Sequence, residues 1–318
     1  MKKRRIKKGP IIFLITIVLV IILTIVGIKL YKYYTSTKYK LEKIGYNENE
    51  ISTLIKKDQK TVNKALKKYD ENLIPLTNQK YFLWKNYDTY KEYINKKSSQ
   101  TNNIDYNEIV TKVNVNRNYD FYTHTKETKM DKNSAILVNK YHSLPDKYAP
   151  NDLVDVSSQY GYGQNKIRKE VLEAFKTMFE SAKNDKITLI INSGYRDYNY
   201  QKNLYDEYKN NKGEQYADGY AARPNFSEHQ SGLALDIITY GASGTTFENT
   251  DAFKWLTNNA DKYGFILRYP KGKEDITGYS YESWHWRYVG KDLATKVKNS
   301  NLTFDEYYAY YIDGDNNA

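Results

Sequence analysis

The sequence predicts an α+β domain carried behind a single apolar helix and a mostly helical stalk. Three observations predict it: an unbroken apolar run near the N-terminus, a lysine-rich stretch with helical apolar spacing and little glycine, and then helical stretches interleaved with short β-type segments. Hydrophobic residues are 40% of the 318, ample for a real core in a chain long enough for about two domains.

Ile11 to Leu30 contain no acid and one lysine, Lys29. As a helix this run spans roughly 30 Å, the hydrocarbon thickness of a bilayer. It is longer than a signal-peptide core, and Val26 to Tyr34 offer no small-x-small cleavage site, so an uncleaved signal-anchor over residues 11–30 is expected. Lys2, Lys3, Arg4, Arg5, Lys7 and Lys8 crowd its N-terminal side, whereas Lys32, Lys38, Lys40 and Lys43 are dispersed behind it. The positive-inside rule then makes residues 1–10 a cytoplasmic basic tail of a single-pass cell-membrane protein whose C-terminal domain is extracytoplasmic.

The net charge of +11 is mostly that signal. Residues 1–30 hold seven positive charges and no negative ones, and removing those seven from +11 leaves +4. The excess is therefore no nucleic-acid footprint, although a weakly basic outer domain is drawn to an anionic wall or membrane surface. With no cysteine, an exported domain relies on its core and any bound metal rather than on disulfides. The 34 tyrosines suit glycan-stacking surfaces and biased composition alike.

Residues 31–103 read as the stalk or spacer. Ile44, Ile51, Leu54, Ile55, Val62, Ala65 and Leu66 recur at helical spacing, and Leu73, Ile74, Leu76, Tyr81, Phe82 and Trp84 surround Pro75. The polar stretch Lys97 to Asn103 is the expected boundary, with the second domain over 104–318. Ile109-Val110 and Val113 to Arg117 read as a strand, and Ala135 to Val138 as another. His124 and His142 lie in polar, turn-like surroundings and read as surface residues.

Asn165 to Lys183 carry Ile167, Val171, Leu172, Phe175, Met178, Phe179 and Ala182 on one stripe of a helix. A buried strand over Ile187 to Ile191 runs into Ser193-Gly194-Tyr195-Arg196, where the glycine permits a sharp turn that aims Arg196 off the strand end. A helix follows from Asp197 to about Lys209, with Gln201 one turn along and facing the same cleft. A short helix near Gln215 to Ala222, a strand from Leu233 to Tyr240, a helix from Asp251 to Tyr263, strands at Phe265 to Tyr269 and Tyr281 to Val289, and helices over Lys291 to Lys298 and Thr303 to Tyr311 complete the domain.

Two of the four histidines stand beside carboxylates at loop-to-strand junctions. Catalytic zinc takes about three protein ligands of histidine and carboxylate type and keeps another position for water; His229, Asp236 and His285 supply that set. Gly232 allows the turn that brings the first two together. In Trp284-His285-Trp286-Arg287 the alternation turns both indoles to the core and His285 and Arg287 to the cleft. Glu282, three residues before His285, would point the other way on a straight strand, so a bend near Ser283 is expected. Glu282 is the candidate general base, taking a proton from water and passing it to the leaving amine; the bland alternatives are a surface carboxylate or a fourth ligand closing a structural site. Arg196 suits a substrate carboxylate or an oxyanion, against an ordinary salt bridge to Asp197 or Glu207.

These residues resemble a family. Ser193-Gly194-Tyr195-Arg196, Ser227-x-His229-x-x-Gly232-x-Ala234-x-Asp236 and Glu282-x-Trp284-His285 are similar to the three signatures of VanY-like D-alanyl-D-alanine carboxypeptidases, in a wider group of zinc peptidases that includes D-Ala-D-Ala dipeptidases. The resemblance covers about Ile109 to Ile312. It implies the α+β zinc peptidase fold shared with hedgehog signalling domains, zinc on His229, Asp236 and His285, Glu282 as acid/base, Arg196 on the transition state or terminal carboxylate, and Gln201 and Ser227 as substrate contacts. Asp197 and Ser283 depart from the serine and proline common there.

The expected function is thus a membrane-anchored zinc D,D-carboxypeptidase that removes the terminal D-Ala of a peptidoglycan stem peptide or lipid-linked precursor. A peptidoglycan endopeptidase, a D,D-dipeptidase of the same fold and a non-catalytic, zinc-stabilised wall-binding module are the alternatives. An anchored enzyme disfavours the dipeptidase, and the presence of Glu282 and Arg196 disfavours the module.

Overall fold

A computed structural model describes residues 8–101 and 103–313, so the basic residues ahead of Lys8 lie outside the described residues. The chain divides into two compact units, Met1–Phe82 and Leu83–Ala318.

In the first unit, helix α1 (Lys8–Thr35) contains a stretch, Phe13–Thr35, long and apolar enough to cross a membrane, with none of it buried. Ser36 starts the next helix by accepting from the Tyr39 backbone N–H at 3.2 Å. Short helices at Thr37–Ile44, Glu48–Leu54, Gln59–Ala65 and Leu73–Thr77 follow, the second and third capped by Asn47 and Asp58. Leu41, Ile51, Leu54, Val62, Ala65, Leu73 and Leu76 are buried in this unit, whereas Ile55, read as part of the same spacing, is 52% exposed.

The second unit begins at Leu83, ahead of the boundary expected at Asn103. Helices α2 (Tyr87–Ser98) and α3 (Tyr106–Asn114) are tied to each other by Tyr90, whose hydroxyl donates to Asn114 Oδ1 at 2.5 Å and accepts from the Leu83 N–H at 3.1 Å. The polar residues Ser99 to Thr101 therefore follow directly on α2 inside this unit. The strand expected over Ile109 to Arg117 is α3 instead: Asp105 caps its first turn, and Ile109, Val110 and Val113 share a buried stripe. Ala135 to Val138 join no sheet, and the Ile136 carbonyl accepts from Arg287. His142 is buried rather than at the surface; its Nδ1 lies 3.0 Å from Asn139 Oδ1 and burial pushes the ring down to about 3. His124 is exposed and stacks on Tyr119.

The core sheet holds four antiparallel strands, β1 (Ile190–Ser193), β2 (Ala234–Ile238), β3 (Phe265–Leu267) and β4 (His285–Tyr288), in the order β1-β2-β4-β3. Its strands are short and β2 is buried throughout, as expected of a sheet covered by helices. Helix α4 (Lys169–Asn184) lays Val171, Leu172, Phe175, Met178 and Ala182 into one cluster with Ile191, Leu235, Ile237 and Trp286. Helices α5 (Tyr198–Lys212) and α6 (Glu214–Tyr220) form a hairpin with its own small core of Tyr205, Ala217 and Ala221. Helix α7 (Asp251–Asn259) joins the main cluster through Ala252, Trp255 and Leu256. Helix α8 (Lys291–Ser300) packs Ala294 and Val297 with Ile266, Val289 and Phe304.

Because α2 buries Tyr87, Tyr90 and Ile94, a fragment starting at Leu83 should melt on the order of 10 °C above one starting at Asn103, at about 2–4 °C per kcal/mol for a unit of this size. Equal melting temperatures by calorimetry would mean that α2 adds nothing to the unit.

Candidate metal centre

Strand register places the candidate ligands. Asp236 on β2 pairs with His285 on β4 and, on its other side, with Ser193 on β1, so three chemically useful positions lie abreast at one end of the sheet. A bulge between Ile191 and Ser193 re-aims the end of β1. Gly194 follows at a place where a Cβ would come 2.6 Å from the Lys166 carbonyl oxygen, so only glycine lets the chain pass. His229 sits on the 3-10 turn Glu228–Ser231, which ends at Gly232 with φ +70, and a Cβ there would press 2.9 Å from Arg168 Cγ. The tight turn returns the chain into β2 and so brings His229 over Asp236.

His229 Nε2 is 3.3 Å from Asp236 Oδ1, and His285 Nδ1 is 3.5 Å from the same oxygen. All three side chains are buried and their ligand atoms lie within 4.8 Å of one another. A tetrahedral zinc site with ligand bonds of about 2.1 Å has ligand–ligand edges of roughly 3.4 Å, which the two separations from Asp236 match. Asp236 Oδ1 is buried and has no hydrogen-bond partner, an expensive condition that a cation relieves. His229 Nδ1 stands 2.7 Å from the Gly194 carbonyl oxygen; a proton donated there leaves the Nε2 lone pair for a metal. The residues fit a zinc ion.

Beneath them lies a charged network. Glu228, with no exposed side-chain surface, accepts from Arg268 Nε at 2.8 Å and Arg287 Nη1 at 2.7 Å, and its other oxygen is 3.3 Å from His285 Nε2. Arg268 also donates to Asp305, and Arg287 Nη2 donates to the Ser134 and Ile136 carbonyls at 2.9 and 2.7 Å. Burial opposes the charge on Glu228, but the two guanidinium groups hold its carboxyl well below the usual carboxylate range. Burial likewise opposes a charge on His285, yet the carboxylates of Asp236, Glu228 and Glu282, 3.3 to 3.5 Å from its ring nitrogens, lift the ring to about 9. Arg287 was expected in the cleft; it shares the strand face of His285 but is wholly buried under it, on Glu228. Sequence reading missed Glu228 and Arg268. The usable signal was a pair of arginines, Arg268 and Arg287, in two segments already read as strands of the core domain.

The chain turns where a bend was expected: the His285 N–H reaches back to the Glu282 carbonyl at 3.4 Å, and β4 starts only at His285. Glu282 Oε2 is thereby 3.5 Å from His285 Nδ1, beside the three candidate ligands. Burial pushes its carboxyl up to about 7, the Asp236 charge adding to this against His285, Arg196 and Lys140. Arg196 donates from Nη2 to Asp236 Oδ2 at 2.6 Å and from Nε to Ser193 Oγ at 3.1 Å, so its ion pair is with the candidate ligand and not with Asp197 or Glu207. Gln201 is buried; its Nε2 donates to the Ala222 carbonyl at 2.8 Å while Oε1 has no partner. Ser227 is buried at the start of the His229 turn. Arg196, Gln201, Ser227, Glu282 and the three candidate ligands all line one cavity of about 550 Å³.

A family model described as VanY, D-alanyl-D-alanine carboxypeptidase, matches residues 164–291, which contain every one of these positions. The putative carboxypeptidase YodJ of Bacillus subtilis (strain 168) is 45% identical over 186 residues, 55% of this chain and 67% of its own length. VanXYC of Enterococcus gallinarum, named a bifunctional D-Ala-D-Ala dipeptidase and D-Ala-D-Ala carboxypeptidase, is 31% identical over 56% of this chain and 95% of its own. The solved structure of the LdcB LD-carboxypeptidase superposes with a TM-score of 0.56 at 42% identity, covering 59% of this chain and 91% of that one. The chain belongs to the VanY-like D-alanyl-D-alanine carboxypeptidase family.

Two outcomes follow from the geometry. In the metal-free protein the raised His285 pKa gives stability that is complete below about pH 6.5 and is lost as pH rises through about 9. A zinc ion must displace that proton, so its affinity should rise about tenfold per pH unit up to about 9; a titration giving one dissociation constant from pH 6.5 to 8.5 would contradict this. Glu228→Gln leaves Arg268 and Arg287 without their shared buried anion, with an expected loss of about 3–5 kcal/mol in unfolding free energy and about 10–100-fold in zinc affinity, read by denaturant unfolding and competition against a chelator.

Proposed function

We propose that this protein is a membrane-anchored, zinc-dependent D,D-carboxypeptidase that removes the terminal D-Ala from peptidoglycan stem peptides or their lipid-linked precursors outside the cytoplasmic membrane. One observation carries it: the unpartnered Asp236 Oδ1, flanked by two histidine nitrogens, lies beside a buried carboxyl whose pKa is pushed up to about 7. That combination is what hydrolysis of an amide requires, and a purely structural metal site requires no such acid. The exposed apolar helix Phe13–Thr35 supports the anchor. Family membership supports the wall substrate.

His229, Asp236 and His285 would hold a zinc ion, which would supply Lewis acidity and lower the pKa of a bound water. Glu282 takes a proton from the attacking water through its carboxylate and later delivers it to the leaving D-Ala amine; a pKa near 7 suits both transfers. Arg196, fixed through Nε and Nη2, keeps Nη1 for the terminal carboxylate or the tetrahedral oxyanion. The unpartnered Gln201 Oε1 accepts from the peptide N–H of the stem, and Ser227 contacts the substrate from the turn that carries His229. A second reading has a specific basis in the likeness to the LdcB LD-carboxypeptidase: the same machinery would then remove D-Ala from the bond that follows an L-configured centre.

The soluble unit from Leu83, given a stem pentapeptide and then a tetrapeptide, should release one D-Ala in a chelator-sensitive way. Release from the pentapeptide supports the D,D reading, release from the tetrapeptide alone the L,D reading, and release of a dipeptide or no turnover with zinc bound would overturn both. Glu282→Gln should lower kcat on the order of 10²–10⁴-fold with the zinc content unchanged; an unaltered rate removes Glu282 from the mechanism.

A further inference from the structure

The cavity is larger than a terminal D-Ala needs, and its two ends differ in chemistry. All its charged side chains, Arg196, Glu228, Asp236 and Glu282 with the two histidines, are at the metal end. The lining also includes Tyr200 and Tyr208 on α5, Tyr220 on α6, Tyr195 just ahead of α5, and the uncharged amides Gln164 and Asn192. Tyr200, Leu204 and Tyr208 are four residues apart on α5, so they form one stripe about 12 Å long that faces the cavity. On α6, Tyr220 stacks against Tyr216 with ring centroids 4.5 Å apart and planes at 21°, and Tyr216 stacks on Tyr208 at 6.1 Å and 27°. Tyr208 packs partly buried against the hairpin core, while Tyr200 and Tyr220 are 59% and 49% exposed.

The lysines of the same hairpin are engaged elsewhere. Lys202 pairs with Asp206, Lys209 with Glu214 at 2.6 Å, and Lys212 lies over the Tyr216 ring at 4.5 Å. Arg223, just beyond, is held by Glu214 and Asp218 at 2.6 and 3.0 Å. A wall of phenol rings and amides with no spare cation does not suit a ligand bearing free carboxylates. It suits a neutral ring with apolar C–H faces for the tyrosines and hydroxyl or acetamido groups for the amides.

We infer that the tyrosine-walled end of the cavity is a saccharide subsite, which takes the amino sugar of the wall glycan while the peptide attached to that sugar reaches the metal end. The inference rests on the wall-substrate reading above, and deepens it: the enzyme acts on glycan-linked stems in preference to free peptides. Stacking on aromatic faces contributes up to about tenfold in binding, and should appear in kcat/KM because the sugar is remote from the reacting bond.

The test compares kcat/KM for a disaccharide-linked stem with that for the same stem without sugar, in the zinc-loaded full-length protein. The wild-type ratio should be about ten. Y200A/Y220A, which alters two exposed side chains, should bring it close to one, and Y200F/Y220F, which keeps both ring faces, should restore it. Saturation-transfer NMR with the peptide-free N-acetylated disaccharide should show contact that the double alanine variant loses. A wild-type ratio of one together with no saturation transfer overturns the subsite. Turnover of neither substrate, with saturation transfer that depends on the two tyrosines, overturns the hydrolytic reading and upholds the subsite.

Discussion

The carboxylate of Glu228 is the point on which the rest of the site bears. It is wholly buried, one oxygen shared by Arg268 and Arg287 and the other turned to His285. Removing so many charges from water is costly, and a buried network of this kind contributes little net stability compared with a well-packed apolar one. Its value lies in direction. With Nε2 of His285 held from below, the ring can rotate little, and Nδ1 is kept on Asp236. The network then spreads outward, through Arg268 to Asp305 in the C-terminal helical segment and through Arg287 to the carbonyls of Ser134 and Ile136. Segments that carry no chemistry of their own thus set the orientation of a metal-ligand candidate.

A second constraint comes from the sheet. Register fixes Ser193, Asp236 and His285 abreast, and Arg196 then closes the row by bonding both Ser193 Oγ and Asp236 Oδ2. Asp236 consequently has one oxygen neutralised by a guanidinium and one left bare. A bare buried carboxylate oxygen between two imidazole nitrogens is unstable unless something positive takes its place among them. In the metal-free protein a proton on His285 does so, and this is why that ring is lifted to about 9 against its burial. The same electrostatics explain why zinc and proton compete for one place.

Much of this was legible in the sequence, for identifiable reasons. The apolar run, the stripe of α4 and the buried strands announce themselves through composition and period, which are local properties. The three candidate ligands and Glu282 were legible because histidine is scarce in this chain, at four residues, and two of the four stand beside carboxylates within turn signals. The reading failed where a helix cap was overlooked or where a side chain farther along the chain decides the outcome. Ile109 to Arg117 has residues common in strands, yet Asp105 caps a helix there and α2 supplies the surface on which it packs. The stretch 97–103 looks like a linker because nothing local shows that Tyr90 will reach Asn114 across it.

By itself, then, the sequence singled out the candidate ligands and Glu282, because ligand type and the glycines that permit tight turns are intrinsic to each position. Only the tertiary structure decided which charges are buried together. Glu228, Arg268, Arg287 and Asp305 are ordinary surface residue types, and their pairing depends on contacts between segments 37 to 59 residues apart in the chain. Such contacts leave no periodic trace, since charge pairing across a core obeys geometry in space and not spacing along the chain. The same is true of the tyrosine wall: thirty-four tyrosines look like compositional bias until folding sets six of them along one cavity.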